Sequence, residues 1–173
     1  TSTIIDTESK TFISGKASGF EYDTATGILT VTGNGLKLSG VGKNIMLYIK
    51  QSVSDITFEN LTLTAGDMNG VKPDDFSSIG VGDGYGSADA YLMYVSSNSL
   101  KVNINGNVTL SKRNTATTEN LLAIYQAHLD YDDVTPMSME FIGGDSPNLT
   151  VTGNTYAIQS MGSCLLYTSD AAD

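Results

Sequence analysis

The sequence predicts an all-β chain, a right-handed parallel β-helix of about four rungs with little or no helix. Three observations carry this reading. Short tracts alternate apolar and polar residues with the period of a strand that has one dry and one wet face. The same tract recurs four times along the 173 residues. No segment sustains a 3.6-residue apolar period, and the chain is rich in glycine (18), poor in proline (3) and free of tryptophan.

The four copies read ILTV at 28–31, NLTL at 60–63, NVTL at 107–110 and NLTV at 148–151. A shorter tract precedes the last three: ITF at 56–58, VNI at 102–104 and MEF at 139–141. A third strand lies earlier in each unit, at 45–49, 91–95 and 122–125, and again at 156–158. These third strands are apolar at both parities, so alternation does not say which side chains point inward. The bends between strands lengthen along the chain, which explains a basic unit near thirty residues with insertions. One such unit cannot bury its own apolar face. Stacking units about 4.8 Å apart pairs each strand with its neighbours and lines the inward side chains into ladders. The expected ladders are Leu29, Leu61, Val108 and Leu149, and Phe58, Ile104 and Phe141. An antiparallel β-sandwich is the competing arrangement, because it also shows alternating strands and frequent turns.

The domain is expected to occupy residues 1–163. Residues 164–173 (CLLYTSDAAD) read codon for codon as a translated transposase-type sequencing adapter, and so as metagenomic read-through. On that expectation the native fragment continues past Ser163, and further rungs of its own full-length chain cover that end.

Composition narrows the function classes. Acids outnumber bases 19 to 9, for a net charge of −10. That argues against nucleic acid as a partner, since phosphates are held by clustered Lys and Arg. No apolar run is long enough for a membrane span. The single cysteine, Cys164, lies in the suspect tail, so a disulfide framework or cysteine metal site is excluded for the rest. The balance suits an extracellular or cell-surface bacterial protein.

The run FEYDTATGILTV at 20–31, with TYAI at 155–158, resembles right-handed β-helix "carbohydrate-binding domain" and adhesin-like surface proteins of gut Firmicutes. The resemblance implies a β-helix whose role is calcium-assisted attachment to acidic plant polysaccharide or a surface glycan. A long insertion at 66–89 departs from that pattern.

Candidate chemistry sits in the loops. The insertion carries Asp67, Asp74, Asp75, Asp83 and Asp89 among glycines, and a second group holds Asp130, Asp132 and Asp133. Calcium takes six to eight hard oxygens, so Asp74, Asp75, Asp83, Asp130, Asp132 and Asp133 form the candidate Ca2+ set, with ordinary solvated loop acids as the alternative. Neither stretch has the ordered calcium loop of an EF-hand. The lone His128 stands beside the second group, where a general base is one reading and an incidental histidine the other. Lys112 and Arg113 are placed to steer an acidic sugar or to lie in a solvated turn. Tyrosines gather around the third strand; Tyr85, Tyr91, Tyr125 and Tyr131 are the candidate sugar-stacking rings, and burial at the edge of the core accounts for the same pattern. Asn60, Asn107 and Asn148 stand at one bend and suggest an asparagine ladder. The functional expectation is a non-catalytic, adhesin-like module binding a glycan or surface partner. A polysaccharide lyase or hydrolase acting on acidic glycans is the first alternative, and a purely structural stalk the second.

Overall fold

The computed structural model describes residues 3–6, 11–15, 18–25, 27–43, 45–65, 91–113, 121–128 and 132–167. They form fourteen strands. The first seven are β1 (Thr3–Asp6), β2 (Thr11–Ser14), β3 (Phe20–Asp23), β4 (Ile28–Val31), β5 (Lys37–Lys43), β6 (Met46–Ile49) and β7 (Asp55–Ala65). The rest are β8 (Tyr91–Val95), β9 (Ser99–Lys112), β10 (Leu122–Gln126), β11 (Ser138–Gly143), β12 (Asn148–Gly153), β13 (Tyr156–Ser160) and β14 (Ser163–Tyr167). Eight make one sheet, ordered β1-β2-β5-β7-β9-β11-β14 with β12 beside β9; six make the other, ordered β13-β10-β8-β6-β4-β3. Among the described residues no helix is long and apolar enough to cross a membrane.

All-β content is as expected, but the right-handed parallel β-helix is overturned. Both sheets are mixed: β1–β2, β2–β5 and β3–β4 pair antiparallel, while the other ladders run parallel. For β3–β4 the cause is local to 20–31, the stretch that carried the family resemblance. Asp23 accepts the Ala25 N–H on its carboxylate, the Gly27 N–H returns to the Asp23 carbonyl at 2.8 Å, and Gly27 has φ +72°. A turn this short can only return the chain antiparallel. Leu29 therefore lies in the six-stranded sheet beside Leu47 and is not in a ladder with Leu61.

The expected ladders are re-sorted accordingly. Leu61, Val108 and Leu149 do stand in register, as do Leu63, Leu110 and Val151. Phe58 pairs with Ile104, but Phe141 lies beside Val102, which in turn faces Ile56. The two short tracts expected in each of the second and third units are single long strands. In β7 the chain passes its bend at Asn60 with φ +45°, and in β9 at Gly106 with φ +66°; asparagine and glycine are the residues that tolerate this region. The Asn60 carboxamide oxygen accepts the Asn107 N–H at 3.3 Å, and Asn105 likewise accepts the Asp145 N–H at 3.3 Å. The asparagines at this corner thus tie one layer's side chain to the next layer's backbone.

Side chains from the facing sheets share one core. In the six-stranded sheet Leu29, Leu47, Met93, Ile124 and Ile158 form a continuous inward row. A parallel row runs Val31, Ile49, Val95 and then turns polar at Gln126 and Ser160. A second apolar cluster, containing Met46, Tyr48, Tyr91, Tyr94, Leu122 and Tyr125, lies on the other face of this sheet.

Candidate functional site

Gln126 ends β10 and is fully buried. A buried amide is tolerated only when its donors and acceptor are paired. Its Nε2 donates to the Ser97 carbonyl at 3.0 Å and the Ser138 carbonyl at 2.8 Å, and its Oε1 accepts the Ser160 hydroxyl. Ser160 Oγ in turn accepts the Gly162 N–H at 3.0 Å, and the Met161 N–H reaches the Gln126 carbonyl. A β-carbon at Gly162 would run into the Met137 carbonyl, so glycine is what lets this bend close against the start of β11.

This polar knot shapes a cleft of about 490 Å3 just beyond β10. Two residues after Gln126 comes His128, 7% exposed, with Nδ1 3.4 Å from Asp133 Oδ2. That distance is longer than a good hydrogen bond, and among the described residues buried Nδ1 has no hydrogen-bond partner. Asp133 is fixed by its own turn, where Oδ1 accepts the Thr135 N–H at 2.9 Å. Hydrogen bonds from the Thr135 hydroxyl first and its N–H second hold the Asp133 carboxyl below the usual carboxylate range, and the His128 ring adds a smaller pull. Thr135 supplies a hydroxyl, and Val134, Pro136, Met137 and Met161 supply apolar wall. Among the described residues no Lys, Arg, Ser or Cys lines this cleft.

The expected sugar-stacking tyrosines are placed elsewhere. Tyr91 and Tyr125 are 4% and 6% exposed and stack on each other, with centroids 4.9 Å apart and planes 8° from parallel. Tyr94 meets both edge-on at 5.7 Å, and Tyr48, Tyr94 and Tyr125 share one register row. Burial pushes the Tyr91 hydroxyl up to about 12 and raises Tyr48 as well, the latter eased by a hydrogen bond with Ser96. The rings satisfy one another as packing. Tyr85 and Tyr131 lie outside the described residues.

Of the candidate calcium set, Asp74, Asp75, Asp83 and Asp130 lie outside the described residues, as do Asp67 and Asp89. Asp132 and Asp133 are neighbours in one turn, Asp132 exposed and Asp133 partly so. Among the described residues no three His, Cys, Asp or Glu side chains are grouped to share an ion. Lys112 is not in a solvated turn but fully buried near the end of β9, while Arg113 is exposed. Sequence reasoning passed over Gln126, Ser160 and Gly162. Their one visible signal is a glutamine interrupting an apolar tract.

No protein-family model matches the chain, and no curated protein and no solved structure is significantly similar to it.

Proposed function

We propose that this chain is a non-catalytic, adhesin-like binding module of an extracellular or cell-surface protein, and that the cleft at His128 and Asp133 seats a neutral glycan. The observation behind the reading is the composition of that cleft. Sugars offer hydroxyl donors on their rim and C–H faces between, and the cleft pairs an ionised carboxylate, an imidazole and a hydroxyl with a wall of methionine, proline and valine. The Asp133 carboxylate and the net charge of −10 disfavour acidic glycans, since among the described residues no Lys or Arg lines the cleft to offset them. Asp133 Oδ1 already accepts a backbone N–H, and its other oxygen faces His128.

The His128–Asp133 pair also favours a second reading, a hydrolase in which Asp133 orients His128 as a general base. Calorimetric titration of neutral and acidic oligosaccharides, in calcium and in chelator, separates the readings. Binding of neutral glycans with no turnover, lost in Asp133→Asn and His128→Ala, supports the module. Release of reducing or unsaturated ends supports the enzyme. Flat responses to every glycan remove both and leave a stalk.

A further inference from the structure

The apolar part of the His128–Asp133 cleft does not lie wholly in the core. Met137 is buried, but Val134 is 90% and Met161 53% exposed. Among the described residues before position 164, the large apolar side chains left well exposed are Val41, Val134, Tyr156 and Met161, and two of these four line the cleft. A single exposed apolar residue is ordinary on a protein surface. Two on the walls of one polar cleft, with exposed Pro136 beside them, leave room for an apolar group of a ligand between them.

The polar part of the cleft consists largely of hydrogen-bond acceptors. The Asp133 carboxylate takes bonds from the Thr135 N–H and hydroxyl, which keep it ionised, and an ionised carboxyl has capacity for more. Its Oδ2 lies 3.4 Å from His128 Nδ1. A carboxylate in that position favours the neutral tautomer with its proton on Nδ1, so Nε2 is left as an acceptor. The cleft therefore suits a ligand that carries a donor and a small apolar group side by side.

We propose that this seat selects sugars bearing an acetamido group, with the N–H donated to the Asp133 carboxylate and the methyl flanked by Val134 and Met161. The inference rests on the glycan reading above and narrows it to one class of neutral sugar. An acetamide holds an N–H donor and a methyl on one planar unit, and its carbonyl can stay in water at the rim. A plain hexose offers hydroxyl donors but no methyl, so Val134 and Met161 stay wet. A free amino sugar answers the carboxylate, but sets a hydrated ammonium against valine and thioether.

Three trimers of one linkage and length test this: cellotriose, triacetylchitotriose and its deacetylated form. They differ only at C2, which carries a hydroxyl, an acetamido group or an ammonium. Calorimetry on the full chain should show the acetamido trimer binding about tenfold tighter than cellotriose, the worth of one methyl in an apolar seat. Saturation-transfer NMR on the unsubstituted chain should give its strongest signal at the acetyl methyl. Val134→Thr and Met161→Gln nearly conserve size at exposed positions, where circular dichroism should show the fold unchanged. Each should weaken the acetamido trimer about threefold or more, whereas Val41→Thr, outside the cleft lining, should leave it as it was. Equal binding of cellotriose, tightest binding of the ammonium trimer, a silent acetyl methyl, or indifference to both cleft substitutions overturns the acetamido seat and leaves the glycan reading standing. Silence from all three trimers overturns the acetamido seat as well. The glycan reading falls with it only if the wider panel of neutral oligosaccharides is also flat.

Discussion

Replacing Gln126 with leucine should destabilise the chain by about 3 kcal/mol. Leucine keeps nearly the same volume on the same face of β10, but it removes two donors and one acceptor. The Ser97 and Ser138 carbonyls and the Ser160 hydroxyl then face an apolar side chain. The two carbonyls left without a donor cost about 1–3 kcal/mol each, and the lost Ser160 bond about 1 kcal/mol. The extra apolar burial of leucine returns about 1–2 kcal/mol. The remainder, about 3 kcal/mol, lowers the melting midpoint by about 6–12 °C for a chain of this size. Urea unfolding followed by far-ultraviolet circular dichroism and tyrosine emission reads it directly, since the chain has no tryptophan. The urea slope should stay constant, because the surface exposed on unfolding is unchanged. Gln126→Glu is the sharper comparison. It removes both donors and sets a carboxylate against two carbonyl oxygens, so it should be worse than leucine at neutral pH and recover in part as acid restores one donor. A leucine variant within about 1 kcal/mol of the parent, or a glutamate variant more stable than it, would refute the claim that these bonds hold the end of β10.

Three further outcomes follow from the same geometry. Gly106→Ala places a β-carbon at φ +66° and into the Asn60 carboxamide, so it should cost about 1–2 kcal/mol in strain and break the bond to Asn107 N–H, read as a lower urea midpoint. The Tyr91 hydroxyl, pushed up to about 12 by burial, keeps its proton in the folded chain where the unfolded chain has begun to release it. Its contribution to stability is therefore intact below the ordinary tyrosine range near pH 10 and lost as pH rises toward about 12, and Tyr91→Phe should lessen alkaline destabilisation in that window. Thr135→Ala removes the main hydrogen bond that depresses the Asp133 carboxyl, so carboxyl NMR should show that group titrating at higher pH, and any ligand that needs its anionic form should then dissociate at a higher pH.

The parts of the fold that were legible in the sequence are those that depend on strand parity. Alternation placed Leu61, Val108 and Leu149 on one buried row, and they lie there in register. Parity does not reveal which sheet a strand joins. ILTV at 28–31 echoes NLTL at 60–63, but the turn at 23–27 delivers it to the other sheet, antiparallel to β3. Nor does parity detect a slip of two residues. A slip of one turns every side chain to the wrong face, whereas a slip of two leaves each face intact. Phe141 beside Val102 instead of Ile104 is such a slip, and the spacer at 144–147, which lets β12 meet β9 separately, absorbs it.

The candidate site was less legible because neighbouring residues of one strand serve different environments. Tyr125 points to the aromatic cluster on one side of β10, Gln126 reaches into the core on the other, and His128 stands in the cleft beyond. A sequence reading that sorts this tract by polarity sees an apolar strand with a stray amide and a stray imidazole. The hydrogen bonds connect them. Gln126 holds Ser160, Ser160 holds Gly162, and Gly162 closes against Met137, so one wall of the cleft is anchored through a side chain that never touches it. Asp133 and Thr135, on the other wall, are held by their own turn and do not depend on that chain. Gln126→Leu should therefore weaken the glycan binding proposed for this cleft by loosening its Met161 side, while the Asp133 titration stays where it was. Thr135→Ala should move the titration and leave the fold's stability nearly untouched. If both variants moved both quantities together, the cleft would be one rigid unit rather than two independently anchored walls.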